Sequence, residues 1–268
     1  MPEARVSGAP VRVTQRPPDE TATKPEIGLS IEPESGPDPA NGAVHREDES
    51  AAEPPEPPAQ PKARRRAPMP GEIAYSKASG KVALTFDAGA SSASTPDLLA
   101  TLRSSHLRVT FFLTGKWCEQ NPDLVTQIAA EGHEIANHTY SHKDLRKLSD
   151  KAIALELSKL DSIVQRLTGK STKPYFRPPY GARDRRVLSV AANEGYTSVF
   201  WSLDSWDAWK KGITGDEIKS RVLNRVQDGD IVLMHCGSRA TADVLPELIS
   251  QLRRRGKEIV TVSELLSD

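Results

Sequence analysis

The residues of this 268-residue chain whose types and spacing speak most directly of chemistry are His138 and His142, in the run Asn137-His138-Thr139-Tyr140-Ser141-His142. On one helical turn, imidazoles at i and i+4 project to the same side, and two neutral imidazoles can hold one divalent transition metal. The spacing therefore predicts a helical turn carrying part of a metal site. Three further segments carry compatible groups. Thr85-Phe86-Asp87-Ala88-Gly89 places a carboxylate at the exit of the apolar run Val82-Ala83-Leu84. Arg177-Pro178-Pro179-Tyr180-Gly181 joins a fixed cation to a rigid turn whose backbone N–H groups can face a cleft, and Leu233-Met234-His235 closes the run Ile231-Val232 with a third histidine. Singly, each is an ordinary strand-end cap or salt-bridge partner. Their order along the chain is what points to a site.

With Trp201-Ser202-Leu203-Asp204-Ser205-Trp206-Asp207 added, the set resembles the five ordered motifs of the polysaccharide deacetylases, the NodB-homology domain of carbohydrate esterase family four, over residues 72 to 268. The resemblance implies a metal-dependent hydrolase that removes acetyl groups from N-acetylated glycans, either peptidoglycan or chitin-like oligomers. It implies Asp87 as general base, Arg177 as the cation that keeps that carboxylate ionised and oriented, and His235 as general acid. Asp207 is the carboxylate partner of His235 by position, and Asp204 is the other candidate. By the same resemblance His138 and His142 hold a divalent metal, zinc first with cobalt or manganese as alternatives, the backbone N–H of Tyr180 shares the oxyanion, and Leu233 lines the acetyl pocket. Trp206 and Trp209, with Trp201 behind them, are candidates to stack on sugar rings.

Two positions depart from that pattern. Ala88 stands where the family usually has a second aspartate that completes an Asp-His-His metal triad, and Ala208 stands where it usually has tryptophan, with Trp209 one step on. The lost ligand leaves open a metal-free pseudoenzyme acting as a glycan-binding or scaffolding domain, and the same parts would also serve an O-acetyl esterase of the xylan type.

The elements that must position these groups read as an alternation of strands and helices. Strands are expected at 82–86, 109–113, 134–136, 175–176, 198–203, 231–234 and 258–262. Helical patterns separate them. In 152–167, Ile153, Leu157, Leu160, Val164 and Leu167 share one face, as in a helix packed outside a sheet. Thr95-Pro96 and Asn121-Pro122 read as an N-cap followed by proline, and Thr214-x-x-Glu217 has capping-box spacing. Short strand-helix connections imply parallel strands and right-handed crossovers. Because Asp87, His138, Arg177, Asp204 and His235 all follow apolar strand runs, a barrel mouth gathers more of them than an open sheet would. The expectation is an α/β fold, a distorted (β/α) barrel of seven or eight parallel strands over 71–268.

Residues 1–70 hold most of the prolines and few large apolar side chains, so they are expected to form a disordered tail that buries too little to offset its ordering entropy. Lys62, Arg64, Arg65 and Arg66 there read as a solvated charge run. The whole chain balances 36 basic against 36 acidic residues, for a formal net charge of zero, which implies no steering toward nucleic acid or another acidic polymer. No run reaches membrane-span length and no signal-peptide core is visible, whereas the family resemblance leads one to expect a cell-envelope or secreted protein. A monomer acting on an N-acetylated polysaccharide is expected. The two cysteines, Cys118 and Cys236, are too few for a disulfide scaffold. His133-Glu134 lacks the second histidine of a zincin, since Asn137 occupies that position, and His133 is read as structural.

Overall fold

The computed structural model describes residues 68–267, so the tail expected over 1–70 lies outside the described residues except for its last three positions. Along the chain run β1 (Glu72–Ile73), β2 (Lys81–Ala88), α1 (Thr95–Ser104), β3 (Thr110–Leu113), α2 (Gly115–Gln120), α3 (Pro122–Ala130), β4 (Glu134–Asn137), α4 (Asp150–Thr168) and β5 (Tyr175–Phe176). They continue through α5 (Arg185–Asn193), β6 (Thr197–Val199), β7 (Leu203–Asp204), α6 (Gly215–Arg225), β8 (Ile231–His235), α7 (Arg239–Arg254), β9 (Glu258–Ile259) and α8 (Val262–Leu266). Short 3₁₀ turns cover Leu145–Lys147 and Pro179–Gly181.

The strands pair in the order β1-β6-β5-β4-β3-β2-β8-β7, with β9 alongside the start of β2. Every ladder is parallel. This is a distorted barrel of eight parallel strands whose path ends at β1 and β7. Irregular backbone spans the gap between those ends: Phe200 N–H donates to the Ile73 carbonyl, Ser202 N–H to the Ile231 carbonyl, and Tyr75 bridges Asp230 antiparallel.

Both faces of β2 are buried, as a parallel sheet clothed by helices requires. Strand periodicity sends Val82, Leu84, Phe86 and Ala88 to one side, into a cluster with Leu98, Leu102, Ile128, Leu245 and Leu248 from the surrounding helices. Ala83 faces the other way, among Phe112, Ala136, Val199 and Ile231 inside the barrel. Thr85 and Asp87 follow Ala83 on that inner side by the same period of two. Burying a Leu or Phe side chain stabilises by about 1.5–3 kcal/mol, so the helix-facing side anchors the strand and leaves its inner side for polar work.

Three boundaries differ from expectation for local reasons. The single strand expected over 198–203 is split into β6 and β7 by the bridging segment described above. The strand expected over 258–262 stops at Ile259, because Thr261 and Glu264 form a capping box that starts α8 at Val262. Helix α1 is capped at Ser94, so Thr95 is already helical, and its hydroxyl turns to the Cys236 carbonyl. The capping box at Thr214 and the cap position at Asn121 are found as read. Both cysteines are buried free thiols. No helix among the described residues is long and apolar enough to cross a membrane.

One buried ion pair ties the first strand to the far side of the barrel mouth. Arg183 donates through Nε and Nη2 to the two Glu72 carboxylate oxygens at 2.6 and 2.7 Å, and through Nη1 to the Gly181 carbonyl at 3.0 Å. The guanidinium also lies 3.6 Å over the Phe200 ring.

Candidate active site

Asp87 stands at the C-terminal end of β2 and Arg177 follows β5, yet their side chains meet inside the barrel. Arg177 is fully buried. Its Nη1 donates to Asp87 Oδ1 at 2.7 Å and to Thr85 Oγ1 at 2.9 Å, while Nε and Nη2 go to the Val199 and Phe200 carbonyls at 3.1 Å each. The guanidinium lies 3.9 Å over the Phe112 ring. A buried charge placed this way is costly to uncouple from its counter-ion. Burial works to raise the Asp87 pKa, but Arg177, then His138 and His235, outweigh it and hold the carboxyl below its ordinary value.

The His138–His142 segment is not a helical turn, which corrects the sequence expectation. It is a loop leaving β4, with Thr139 at φ 67° and His142 at φ 56°. Two side chains within the segment and one on α4 fix this shape. Asn137 Oδ1 accepts from Thr139 N–H at 2.9 Å, Thr139 Oγ1 accepts from His142 N–H at 3.2 Å, and the Glu156 carboxylate on α4 accepts from both the N–H and the hydroxyl of Ser141 at 2.7 and 2.5 Å. These bonds compete with helical ones and win. The loop still brings the two rings together, edge to face, with centroids 4.8 Å apart. His138 Nδ1 donates to the Arg177 carbonyl at 2.8 Å, which leaves the lone pair on Nε2, 3.5 Å from Asp87 Oδ2. Burial lowers the pKa of His138, and burial together with His138 pushes His142 down to about 4. Both imidazoles are therefore neutral and able to donate lone pairs.

Across the mouth, β8 pairs with β2 in a register that sets His235 beside Asp87. His235 Nδ1 lies 2.8 Å from Asp207 Oδ1, and Asp207 Oδ2 accepts from the His235 backbone N–H at 2.8 Å and from the Thr241 hydroxyl at 2.6 Å. Burial alone would lower the His235 pKa. The Asp207 hydrogen bond and charge, aided by Asp87 and Asp204, raise it above its ordinary value. Of the two carboxylates proposed as its partner, Asp207 is the one in contact. Asp204 instead accepts from Trp206 N–H at 2.8 Å and from Trp209 Nε1 at 3.3 Å, shaping the 205–209 loop.

These groups open onto a cavity of about 550 Å³ whose walls include Asp87, His138, His142, Tyr180, Leu233 and His235. Tyr180 is held at φ 59° and is 74% exposed, with its ring edge-on to His142 at 4.5 Å. Trp201 and Trp209 also line the cavity. Trp206 is not on that wall: its ring is covered by the Arg221 guanidinium at 3.2 Å and meets Trp209 edge to face.

Residues 74–199 match the polysaccharide deacetylase family. The peptidoglycan-N-acetylglucosamine deacetylase of Bacillus cereus is 37% identical over 195 residues, spanning 71% of this chain and 69% of that protein. The chain belongs to the polysaccharide deacetylase family. Among solved structures, the peptidoglycan N-acetylglucosamine deacetylase Bc1960 in complex with an N-hydroxybenzamide compound superposes with a TM-score of 0.69 at 33% identity, covering 74% of this chain and 93% of that one. BA3943 of Bacillus anthracis, described as a CE4 family pseudoenzyme, superposes with a TM-score of 0.66 at 28% identity, covering 70% of this chain and 65% of that one.

As a polysaccharide deacetylase, the chain holds an incomplete donor set for a metal. His138 and His142 fit the imidazole half of such a site, being neutral and adjacent with one Nε2 free. A third side chain is missing: among the described residues no group of three His, Cys, Asp or Glu is placed to hold an ion. Ala88 is 1% exposed and packs in the apolar cluster between sheet and helices. His133, set aside in the sequence reading, accepts Val109 N–H on Nδ1 at 3.2 Å and lies buried away from the cavity walls.

Asn137, Glu156 and Thr241 shape this site and were not found by sequence reasoning. Thr241 is fully buried near the start of α7, and nothing in its local pattern distinguishes it from a helix-start threonine. Asn137 had one available signal, as the residue directly before the first histidine.

Proposed function

We propose that this protein hydrolyses the N-acetyl group of a glycan, releasing acetate and leaving a free amine on the sugar, with cell-wall peptidoglycan or a chitin-like oligomer as substrate and the cell envelope as its place of action. The observation that carries this reading is the pairing of Asp87–Arg177 with His235–Asp207 on adjacent strands at one cavity. Asp87, ionised by its buried guanidinium partner, takes a proton from the attacking water. The backbone N–H of Tyr180, at the strained turn beside the cavity, faces the oxygen that becomes negative. His235, protonated under the influence of Asp207, delivers a proton to the nitrogen as the C–N bond breaks. Leu233 lines the space for the acetyl methyl, and Trp209 offers an exposed ring to the sugar. A divalent metal on His138 and His142, zinc in first place, would polarise the carbonyl and make the water more acidic.

Acetate release from N-acetylglucosamine tetramer and from purified peptidoglycan, with and without added zinc, tests the reading. Acetate from either substrate is the expected result. Release only from acetylated xylan would reassign the chemistry to O-acetyl esters, and release from none would overturn it.

Ala88 and the similarity to the Bacillus anthracis pseudoenzyme favour a second reading, a glycan-binding domain without turnover, and a zinc titration separates the two. The preceding residue, Asp87, reaches within 3.5 Å of His138, and a Cβ on the following Gly89 would lie 3.6 Å from His142 Cδ2. Position 88 lies between these two residues at the end of β2 with its own methyl turned to the apolar cluster, so an aspartate there reaches the histidines only by turning away from that cluster. Ala88→Asp is expected to bind zinc more tightly than the wild type by calorimetry. It should melt at a lower temperature without zinc, since a carboxylate then replaces a methyl packed in an apolar cluster. Unchanged zinc affinity in the folded variant would mean that another group already fills the third position or that no metal belongs between these histidines.

A further inference from the structure

A second cavity of about 240 Å³ adjoins the first, sharing Asp87, Gly89, Ala90, Ala208 and His235 with it. Its remaining walls are Ser91, Asp207, Gly237 and Ser238. Leu233 and the two metal-site histidines belong only to the larger cavity, and Ser91, Gly237 and Ser238 only to the smaller. His235 and Ala208 therefore stand at the junction. The far wall is tightly packed at Gly237, where a Cβ would lie 2.5 Å from the Ser91 carbonyl oxygen. Ala208 is exposed at this junction and contributes only a methyl group.

We infer that Ala208 determines specificity, leaving open a lobe that receives a bulky substituent on the sugar carbon next to the acetamide, such as the carboxyethyl ether that distinguishes N-acetylmuramic acid from N-acetylglucosamine. This inference rests on the proposed deacetylation. The acetyl methyl lies on the Leu233 side and the departing nitrogen at His235, so the sugar ring occupies the His235 side. A group on the vicinal carbon is then the part of the substrate nearest the smaller lobe. Its volume corresponds to about eight liquid-water volumes, enough for a substituent of five or six heavy atoms. A large side chain at position 208 would occupy the junction and exclude it. Ala208 thus selects by permission, through space that a larger residue would fill.

Ala208→Trp tests this from one wall and Ser91→Phe from the other, the second being remote in sequence from Asp207. Both are compared with the wild type, zinc present, on N-acetylglucosamine tetramer and on peptidoglycan fragments containing N-acetylmuramic acid, with thermal midpoints as the check on folding. Both variants are expected to lose about tenfold or more in kcat/KM on the muramic-acid fragments, and to keep activity on the plain tetramer within about threefold. Equal effects on both substrates, or none on either, in folded variants overturn the inference. Calorimetric binding of the same two ligands, read with wild type and variants, separates this outcome from failure of the deacetylase reading. If no protein releases acetate yet the variants lose affinity for the muramic-acid ligand alone, the lobe assignment stands and the catalytic one falls. If binding too is unchanged, the lobe assignment falls on its own.

Discussion

Asp87→Asn is expected to lower acetate release by about 10²–10⁴-fold, the contribution of a positioned general base, and to destabilise the fold as well. The second effect follows from Arg177. Its guanidinium is wholly buried and pairs with the Asp87 carboxylate, and an asparagine would leave that charge without a counter-ion, at a cost of about 3–5 kcal/mol. The sign of the pH dependence is fixed by the lowered pKa of Asp87. A carboxyl whose folded pKa lies below its unfolded value of about 3.9 contributes stability above that value and loses it as pH falls through the folded pKa. The gap in thermal midpoint between wild type and Asp87→Asn should therefore be widest near neutral pH and narrow in strong acid. Near-normal turnover with unchanged zinc content would show that another group serves as base.

Asp207→Asn should move the alkaline limb of kcat/KM to lower pH and reduce the neutral rate, by an amount up to the ~10²–10⁴ that a positioned acid supplies. In the wild type the His235 pKa is raised despite burial, because the Asp207 hydrogen bond and charge favour the imidazolium, with Asp87 and Asp204 adding to them. Raised proton affinity keeps the acid form to higher pH than an ordinary imidazole would, and activity is lost as pH rises through the folded pKa. Removing the Asp207 charge leaves burial dominant, and the proton departs earlier. The stability that this imidazolium contributes follows the same course, being present below the unfolded pKa and lost on the alkaline side. A pH–rate profile of the two proteins checks this, and an unmoved limb would remove His235 from the role of acid.

How far the site could be read from the chain is shown by the contrast between β2 and the 138–142 loop. The run Val82–Phe86 identified its strand, and the aspartate at its end could only emerge at the barrel mouth, because an alternating strand buried on both sides leaves its end residue there. The two histidines were equally visible as a pair, but their backbone was misread. Thr139 and His142 adopt left-handed conformations that their own sequence disfavours, held there by Asn137, Glu156 and, across the loop, the Thr139 hydroxyl. The shape is set partly by Asn137 and Thr139, whose turn bonds are local, and partly by Glu156 on α4, of which i,i+4 spacing contains no trace. The same holds for Thr241, whose hydroxyl meets Asp207 from α7, and for Trp206, which a ring-stacking argument placed on the groove but whose ring face is taken by Arg221. The break between β6 and β7 was hidden because apolar residues continue through the irregular stretch that spans the gap in the barrel. Motif order carried the chemistry, and local turn bonds together with bonds from other elements decided the geometry.

The Glu72–Arg183 pair makes the first strand a mechanical part of the cavity mouth. Glu72 lies in the first strand, while its partner grips the carbonyl of Gly181, the residue after Tyr180. A pull on the chain ahead of β1 reaches Glu72, whose carboxylate Arg183 holds, and strain passes through the guanidinium to the turn at Gly181. Trimming the protein back to Ile73 would remove Glu72 and release Arg183 from it, and under the proposed mechanism the loss would register in an assay at the Tyr180 turn.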